Sequence, residues 1–299
     1  MYGYPSNEGK EEIMNLQQNY PIPLSSDDCI DEIELSLLLD AIYHRWGYDF
    51  HDYARATLKR RVWKMVEDEG LSSVSALQER ILRDSYFMQR VLDLVTVEST
   101  SMFPNPRFYQ AFRRIVVPLL QEYTLLRIWH VGCASGEEVY SMAILLHEEQ
   151  LLERTRIYAT DVNERVLQLA HNGIYPIGKV KEYSKNYLAS GGKATFSEYY
   201  QARDAQVTIN HTLAKNIVWA QHNLVTDASF NEFHLIFCRN VLFYFNEYMQ
   251  ERIHRLIDDS LISSGGLLIL GPQEVLGMMP YESSYMSLDN IEKIYKKIR

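Results

Sequence analysis

The chain has 299 residues, of which 46% are hydrophobic and 23% charged, as is typical of a globular protein of about two domains. No apolar run approaches the ~20 residues of a membrane span, and the N-terminus lacks the basic-then-apolar order of a signal peptide. The three cysteines, Cys29, Cys133 and Cys238, are too far apart for a metal-ligand motif. We therefore expect a protein of the reducing cytoplasm, with no bound metal and no membrane insertion.

The net charge of −9 is concentrated near the N-terminus. Residues 1–40 contain nine acidic residues and a single basic one, Lys10, so the rest of the chain is nearly neutral. An acidic leading segment argues against nucleic acid as the main partner. Its composition favours a solvated, flexible arm over residues 1–30.

Residues 31–95 carry apolar positions at helical spacing, which predicts a small helical domain. Four helices are expected: one ending at Gly47, one over residues 50–70, one after an N-capping serine, and one over residues 85–97. The second helix has a basic flank, formed by Arg55, Lys59 and Arg60. This flank is a candidate surface for an acidic protein substrate, but a solvated face that offsets the acidic arm explains it equally well.

A linker and connecting helix, residues 96–118, lead into a section where strands alternate with helices. This alternation predicts an α/β fold, a doubly wound and mostly parallel sheet over residues 119–299 that is covered on both faces. The expected strands are residues 125–131, 156–161, 216–224, 233–240 and 265–271. Residues 176–215 interrupt the alternation, which indicates a small excursion, and residues 285–298 are expected to add an antiparallel edge.

The segment "GCASGEE", residues 132–138, joins the first strand to a helix and is a candidate ligand site. A tight turn that begins at Gly132 would let a ligand approach the N–H groups at the start of the helix. Glu137 and Glu138 would repel a pyrophosphate, and the third glycine of the dinucleotide fingerprint is missing. The turn therefore favours a cationic or hydroxyl-bearing nucleoside over a nicotinamide dinucleotide. A structural turn with capping carboxylates remains an alternative.

Polar residues also follow three later strands of the predicted sheet. Asp161 ends the second strand, where doubly wound folds bind ribose hydroxyls, although either Asp161 or Asn163 could instead cap the next helix. The next two strand ends carry Asn223, Leu224, Arg239 and Asn240. An amide and an apolar side chain suit the edge and the face of an adenine. Four neighbouring strand ends with such residues predict a lined cleft.

The segments "GCASGEEVYSMAILL", "IYATDVNERVLQLAHNGIY" and "HLIFCRNVLFYF" together resemble the signatures of the CheR-type chemotaxis protein-glutamate methyltransferases. Two further segments, "YDFHDYARATLKRRV" and "LLILGPQEVL", are similar to that family's helical domain and late glycine strand. The resemblance implies S-adenosylmethionine as cofactor and S-adenosylhomocysteine as product. It also implies that the acceptors are glutamates in the cytoplasmic domain of a chemoreceptor.

The same resemblance implies roles for residues of the predicted cleft. The cofactor would be held by Gly132, Glu137, Glu138, Asp161, Asn223, Leu224, Arg239 and Asn240. Tyr244 would lie beside the transferred methyl group, and Arg239 is a second catalytic candidate.

The linker "ESTSMFPNPRF", residues 98–108, departs from the family pattern. Thr100 is retained as a candidate cofactor contact, Glu98 replaces an asparagine at a second such position, and Pro104 stands where the family has an arginine. Proline offers neither charge nor N–H, so Arg107 becomes the candidate substitute. Two interpretations follow: an active methyltransferase, or a weak or inactive relative that binds S-adenosylmethionine or its product as a regulatory or scaffolding module.

Overall fold

The helical region comes first in this computed structural model, which describes residues 27–96, 100–276 and 282–299. Its helices are α1 (Asp27–Trp46), α2 (Arg55–Asp68), α3 (Val74–Arg83) and α4 (Ser85–Thr96). Ser73 caps α3, as the sequence suggests, because its hydroxyl accepts a hydrogen bond from the Ala76 N–H (3.2 Å). Most of the expected flexible arm, residues 1–30, lies outside the described residues.

The second helix is shorter than predicted, because residues 50–54 form a turn that contacts the sheet region. The Ala54 N–H donates to the Tyr244 carbonyl (2.6 Å), and the Asn246 N–H donates to the Asp52 carbonyl (2.8 Å). A backbone group used in such a contact is not available to a helix. Main-chain hydrogen bonds therefore join the helical region to the sheet region.

The connecting helix has three parts: α5 (Pro106–Ala111), a π-helical turn (Phe112–Val116) and α6 (Val117–Gln121). Pro118 explains the interruption, since it has no N–H to donate to the carbonyl four residues earlier. Phe108 and Phe112 of this segment are fully buried and pack against Phe237 of the sheet. The connecting helix is therefore part of the core.

The strands in chain order are β1 (Leu126–Val131), β2 (Thr155–Asp161), β3 (Ile174–Pro176), β4 (Tyr200–Arg203), β5 (Gln206–Ile209), β6 (Ile217–Gln221), β7 (Leu235–Cys238), β8 (Leu267–Leu270), β9 (Tyr285–Asp289) and β10 (Ile294–Lys297). Seven of them form one sheet, in the order β6-β2-β1-β7-β8-β10-β9. The first five are parallel, and β10 runs antiparallel to β8 and β9. The predicted mostly parallel, doubly wound sheet is confirmed. The C-terminal tail adds a hairpin to it.

The remaining helices are α7 (Glu137–Glu148), α8 (Glu164–Asn172), α9 (Val180–Ala189), α10 (His211–Ala214) and α11 (Glu247–Ser260). Both faces of the sheet are covered, since buried residues of α7 belong to one core and those of α11 to the other. Alternate residues of a strand belong to different cores: Ile128 and Phe237 to one, Trp129 and Ile236 to the other. The second core also contains Leu38 and other buried residues of the helical region. None of the helices in the described ranges is long and apolar enough to cross a membrane.

The excursion predicted near residues 176–215 contains α9 and a three-stranded antiparallel sheet in the order β3-β5-β4. A buried carboxylate at the end of α7, that of Glu148, connects it to the main body. Glu148 accepts from the Tyr199 hydroxyl (2.9 Å) and the Lys193 N–H (2.8 Å), and it forms an ion pair with Arg113 of the connecting helix. The excursion is therefore tied to the end of the helix that begins at the GCASGEE turn.

Candidate active site

A cleft lies at the carboxyl ends of β1 and β7, where the order of the strands reverses. Its volume is about 1230 Å³, counted to the open mouth. Nine of the predicted site residues line it: Thr100, Gly132, Glu138, Asp161, Asn223, Leu224, Arg239, Asn240 and Tyr244. The structure therefore brings four strand ends and the linker together around one space.

Asp161 ends β2 with its carboxylate between two backbone N–H groups. Its Oδ2 accepts from the Ala134 N–H (3.0 Å) and its Oδ1 from the Asn163 N–H (2.9 Å). Burial raises the pKa of Asp161 to about 6, and these N–H groups offset the effect only in part. Asn163 is the residue that caps α8, since its side chain accepts from the Arg165 N–H (3.1 Å). Asp161 is therefore not a helix cap and presents a carboxylate to the cleft.

The Asp161 turn is also fixed from the helical region, through the fully buried Asn163. The Asn163 Nδ2 donates to Asp93 Oδ1 (3.1 Å) and to Thr96 Oγ1 (3.3 Å), and its Oδ1 accepts from Gln89 Nε2 (3.0 Å). All three partners belong to α4. This helix therefore supports the turn that carries the acid of the cleft.

Position 132, directly after β1, requires glycine because of its backbone conformation and because of its surroundings. Its φ of +60° lies in the left-handed region, and a Cβ on it would be 2.7 Å from Val241 Cγ2. Ala134, two residues later, also has a positive φ, +45°. The turn after β1 therefore lies directly against the loop after β7, and the two together form one end of the cleft.

Glu138 and Arg239 form an ion pair on the cleft wall through Oε1 and Nη1. The guanidinium carbon also lies 4.3 Å from the centroid of the Phe108 ring. Burial opposes the charge of Arg239, but Glu138, Tyr109 and Glu274 together outweigh it and raise the pKa of the guanidinium. Arg239 is the one lysine or arginine among the described residues that line the cleft, and its buried Nε has no partner among them. Such a pair can bind a zwitterion, with one charge facing each end.

The loop after β7 is held by Glu274, a buried residue that the sequence did not single out. Its carboxylate accepts from four backbone N–H groups, those of Gly271 (2.5 Å), Asn240 (3.1 Å), Val241 (2.8 Å) and Leu242 (2.8 Å). Asn240 has a φ of +59°, a strained value that its surroundings must enforce. A Cβ on Gly271 would lie 2.7 Å from Glu274 and 2.9 Å from Asn240, so only glycine fits there. These contacts fix the loop that carries Asn240 into the cleft.

Tyr244 lines the cleft and is 8% exposed. The guanidinium carbon of Arg61, from α2, lies 4.9 Å from the centroid of its ring. Tyr53 of the helical region also lines the cleft, and its ring packs against Phe245 with centroids 4.7 Å apart. Tyr53 was not among the predicted site residues, since residues 50–54 were expected to be helical.

Asn223 and Leu224 line the cleft after β6, and both are half-buried. The Asn223 Oδ1 accepts from the Val225 N–H (2.9 Å), so the amide oxygen is used in a local turn. What the Asn223 side chain still offers a ligand is the pair of N–H donors on Nδ2. An acceptor edge on the ligand, next to an apolar face, would match this part of the cleft.

Of the residues predicted for the cleft itself, Glu137 and Arg107 do not line it, and Glu98 lies outside the described residues. Glu137 is 1% exposed, and its carboxylate accepts from the hydroxyls of Thr100, Ser135 (2.6 Å) and Tyr183 (3.2 Å). Its carboxylate therefore supports Thr100 in this structure, and direct contact of Glu137 with the cofactor stays a prediction. Arg107 is exposed on α5 and is not part of the cleft wall, so this arrangement does not support its role as a substitute.

The predicted basic flank of α2 is partly neutralised by α1. Arg55 Nε lies 3.0 Å from Glu32, and Lys59 Nζ lies 3.4 Å from Asp31. Arg60, the third residue of the flank, is exposed. The pairs favour the structural explanation for Arg55 and Lys59, and they leave Arg60 as the residue of the three most able to meet a partner.

Comparison with known families covers both regions of the chain. Residues 33–96 match the family described as "CheR methyltransferase, all-alpha domain", and residues 98–291 match "CheR methyltransferase, SAM binding domain". The chain belongs to the CheR methyltransferase family. SAM stands for S-adenosylmethionine, so the predicted cofactor and the resemblance seen in the sequence are both confirmed.

Three relatives illustrate the range of similarity within the CheR family. "Putative methyltransferase Cher3" of Pseudomonas putida is 42% identical over 266 residues, which cover 89% of this chain and 97% of the relative. "Chemotaxis protein methyltransferase" of Listeria monocytogenes is 27% identical, covering 79% and 87%. "Chemotaxis protein methyltransferase 1" of Pseudomonas aeruginosa is 28% identical, covering 74% and 82%.

Among solved structures, the N-methyltransferase NodS of Bradyrhizobium japonicum, in complex with S-adenosylhomocysteine, shares 16% identity with this CheR-family chain. The TM-score is 0.33, with 66% of this chain and 70% of NodS covered. This likeness is too distant to bear on the site.

Proposed function

We propose that this chain transfers the methyl group of S-adenosylmethionine to glutamate side chains in the cytoplasmic domain of a chemoreceptor-type signalling protein. The observation that carries the proposal is that Tyr244, the Glu138–Arg239 pair and Asp161 line one continuous cleft. Residues suited to a cofactor and a residue suited to an acceptor thus share one space. Relatives named chemotaxis protein methyltransferases support the choice of acceptor.

The charges and donors of the cleft fit S-adenosylmethionine. Asp161 accepts from the ribose hydroxyls, while Asn223 and Leu224 meet the edge and the face of the adenine. Glu138 faces the ammonium group, and Arg239, whose Nε has no described protein partner, faces the carboxylate. Two carboxylates on the wall of one cleft also favour a ligand with a positively charged sulfur.

The acceptor chemistry places few demands on the protein. A glutamate side chain has a reference pKa of about 4.3, so it is already an anion at neutral pH and needs no general base. The cofactor supplies a methyl group on a sulfonium, whose bond to sulfur breaks as the bond to the carboxylate oxygen forms, which leaves a methyl ester and a neutral thioether. The chain must hold the carboxylate in line. We assign this task to the Tyr244 hydroxyl, with the positive charge of Arg61 over its ring.

One observation favours a second function, a regulatory module that binds the cofactor without transfer. Pro104 lines the cleft where the family has an arginine, and Arg107 is exposed outside it. The acceptor would then lack one cationic contact. A protein that binds S-adenosylmethionine or its product in this way could report the level of the cofactor to a partner.

A radiolabelled methyl-transfer assay on membranes that contain the organism's own receptors separates the two functions. We expect base-labile label on a receptor with the wild-type chain and none with Asp161→Ala. Calorimetry with S-adenosylhomocysteine shows independently whether each protein binds the product. Binding without label, for both wild type and Pro104→Arg on all receptors tested, would reject transfer and support the regulatory module.

A further inference from the structure

The segment Thr100–Pro104, here called the lip, forms one edge of the cleft. Thr100, Ser101 and Pro104 line the cleft, whereas the side chains of Met102 and Phe103 are fully buried on its other side. The lip therefore separates the cleft from the core. Its position decides how wide the mouth is on this edge.

The excursion holds the lip through a row of hydrogen bonds along α9. The Ser101 hydroxyl donates to Glu182 Oε1 (2.6 Å), and Asn186 Nδ2 donates to the Met102 carbonyl (3.1 Å). Lys179, directly before α9, donates from Nζ to the Thr100 carbonyl (3.3 Å). Positions 179, 182 and 186 follow one another at helical spacing and share one face of the helix. Three consecutive residues of the lip are therefore bound to the residue directly before α9 and to two residues on one face of α9.

The buried carboxylate of Glu137 makes a second connection between the lip and α9. Its Oε2 accepts from the Thr100 hydroxyl, and its Oε1 accepts from the Tyr183 hydroxyl (3.2 Å) and lies 3.4 Å from Lys179 Nζ. One carboxylate thus binds the lip on one side and the excursion on the other. Because Glu137 begins α7, this connection also fixes the lip relative to the GCASGEE turn.

The lip itself has a conformation that needs such support. Phe103 has a φ of +51°, in the left-handed region that a bulky residue adopts only when its surroundings enforce it. Its N–H donates to the Ser141 hydroxyl (2.9 Å), and its ring packs against Tyr187 of α9 at 5.4 Å between centroids. A lip without these contacts would relax away from this conformation.

We propose that α9 is the support of the cleft lip, and that Glu182 and Asn186 are positioning residues for methyl transfer. They touch neither cofactor nor acceptor, and they act by holding the backbone of Thr100–Met102 at the edge of the cleft. The excursion is then part of the catalytic apparatus in addition to being an attachment on the main body. The inference rests on the proposed function only for its kinetic consequence, and the position of the lip can be measured without any turnover.

Hydrogen exchange of the lip amides tests the inference in the full-length protein. We expect the amide of Phe103, whose N–H donates to Ser141, to exchange about tenfold faster in Glu182→Ala and in Asn186→Ala, because the lip that holds it is released. Glu182→Gln should restore slow exchange, because its amide oxygen can still accept from Ser101. Lys185→Ala, an exposed position on the same helix, is the matched control and should leave the lip unchanged.

The kinetic arm uses the same variants on receptor membranes. Glu182→Ala and Asn186→Ala should raise KM for the receptor severalfold, and Glu182→Gln should restore it, while the affinity for S-adenosylhomocysteine changes much less. Wild-type exchange rates in the lip of both alanine variants would overturn the inference. If Asn186→Ala disrupts α9 itself, Asn186→Asp is the alternative, because aspartate has the shape of asparagine but lacks its N–H donor. It should give the same fast exchange in the lip. If the wild-type protein transfers no methyl group, that result counts against the proposed function. The exchange rates alone would then show whether α9 supports the lip.

Discussion

Among single residues, Asp161 is the one from which we expect a pH dependence of cofactor binding. Burial raises the pKa of this carboxyl to about 6, and in our proposal the ionised form is the one that binds the ribose hydroxyls, because a carboxylate accepts hydrogen bonds more strongly than a neutral carboxyl group. As the pH falls through 6 the group takes up a proton, so affinity is retained above pH 7 and is lost below pH 6. We expect the Kd for S-adenosylhomocysteine to be nearly constant between pH 7 and 8 and to rise about tenfold per unit well below pH 6.

Calorimetry between pH 5 and 8 measures this dependence, with circular dichroism at each pH to confirm that the fold is intact. Asp161→Asn is the control, because it cannot ionise and should bind weakly with little change over the range. A constant Kd down to pH 5 in the folded wild-type protein would contradict the role of Asp161.

A second prediction at the scale of single residues concerns Tyr244 and the rate of methyl transfer. Removing its hydroxyl in Tyr244→Phe takes away the group that we propose holds the acceptor, so we expect kcat to fall about ten- to a hundredfold, with little change in cofactor affinity. The measurement is a methyl-transfer assay combined with calorimetry. Tyr248→Phe, which alters a tyrosine that is 70% exposed on α11, is the matched control. Full activity of Tyr244→Phe would show that Tyr244 only packs with its aromatic neighbours.

At the scale of single elements, the loop after β7 depends on one buried carboxylate. Glu274→Gln keeps one oxygen but turns an NH₂ group toward backbone N–H groups, so at least one donor loses its acceptor. We expect the free energy of unfolding to fall by about 1–3 kcal/mol. Affinity for S-adenosylhomocysteine should fall as well, because the Asn240 loop is released.

Denaturant unfolding and calorimetry on the same preparation test this prediction. Gln273→Ala is the control, since residue 273 is exposed next to Glu274 and should change neither quantity. An unchanged stability in Glu274→Gln would mean that the four N–H groups of this loop find other acceptors.

The elements themselves were largely predictable from the sequence, for physical reasons that also explain the failures. Strands such as β1 and β7 are buried on both faces and have continuous apolar runs, and their polar ends therefore stand out. Glu274 gave no such signal, because its role depends on N–H groups that lie up to 34 residues away in the chain. The support that Glu137 gives to Thr100 was not predicted either, because spacing gives a residue's place in a helix but does not show which side chains surround it.

At the scale of the whole molecule, the helical region and the sheet region form one site. Tyr53 contributes to the cleft wall, Arg61 lies over Tyr244, and Asn163 connects α4 to the Asp161 turn. A protein that binds to the helical region therefore contacts elements that also shape the cleft. This places the acceptor protein, in our proposal, against α2 as well as at the mouth of the cleft.

The final prediction concerns this docking surface. Arg60 is exposed, whereas Arg55 and Lys59 are engaged with Glu32 and Asp31 of α1. If an acidic receptor segment binds here, Arg60→Glu should raise KM for the receptor severalfold and weaken the dependence of KM on salt, with kcat unchanged. Arg55→Glu should mainly lose an exposed ion pair, a change of up to about 1 kcal/mol in the free energy of unfolding.

The measurement is the methyl-transfer rate against receptor concentration at two ionic strengths. Arg83→Glu on α3 is the matched control, because it changes the net charge equally at a position that is 78% exposed and lies on another helix. A general electrostatic attraction between the two proteins would make both reversals raise KM equally. Direct contact of the partner with α2 would make Arg60→Glu raise KM more than Arg83→Glu. If Arg60→Glu and Arg83→Glu change KM equally, the flank of α2 is only a solvated face. The receptor would then be recognised at the mouth of the cleft.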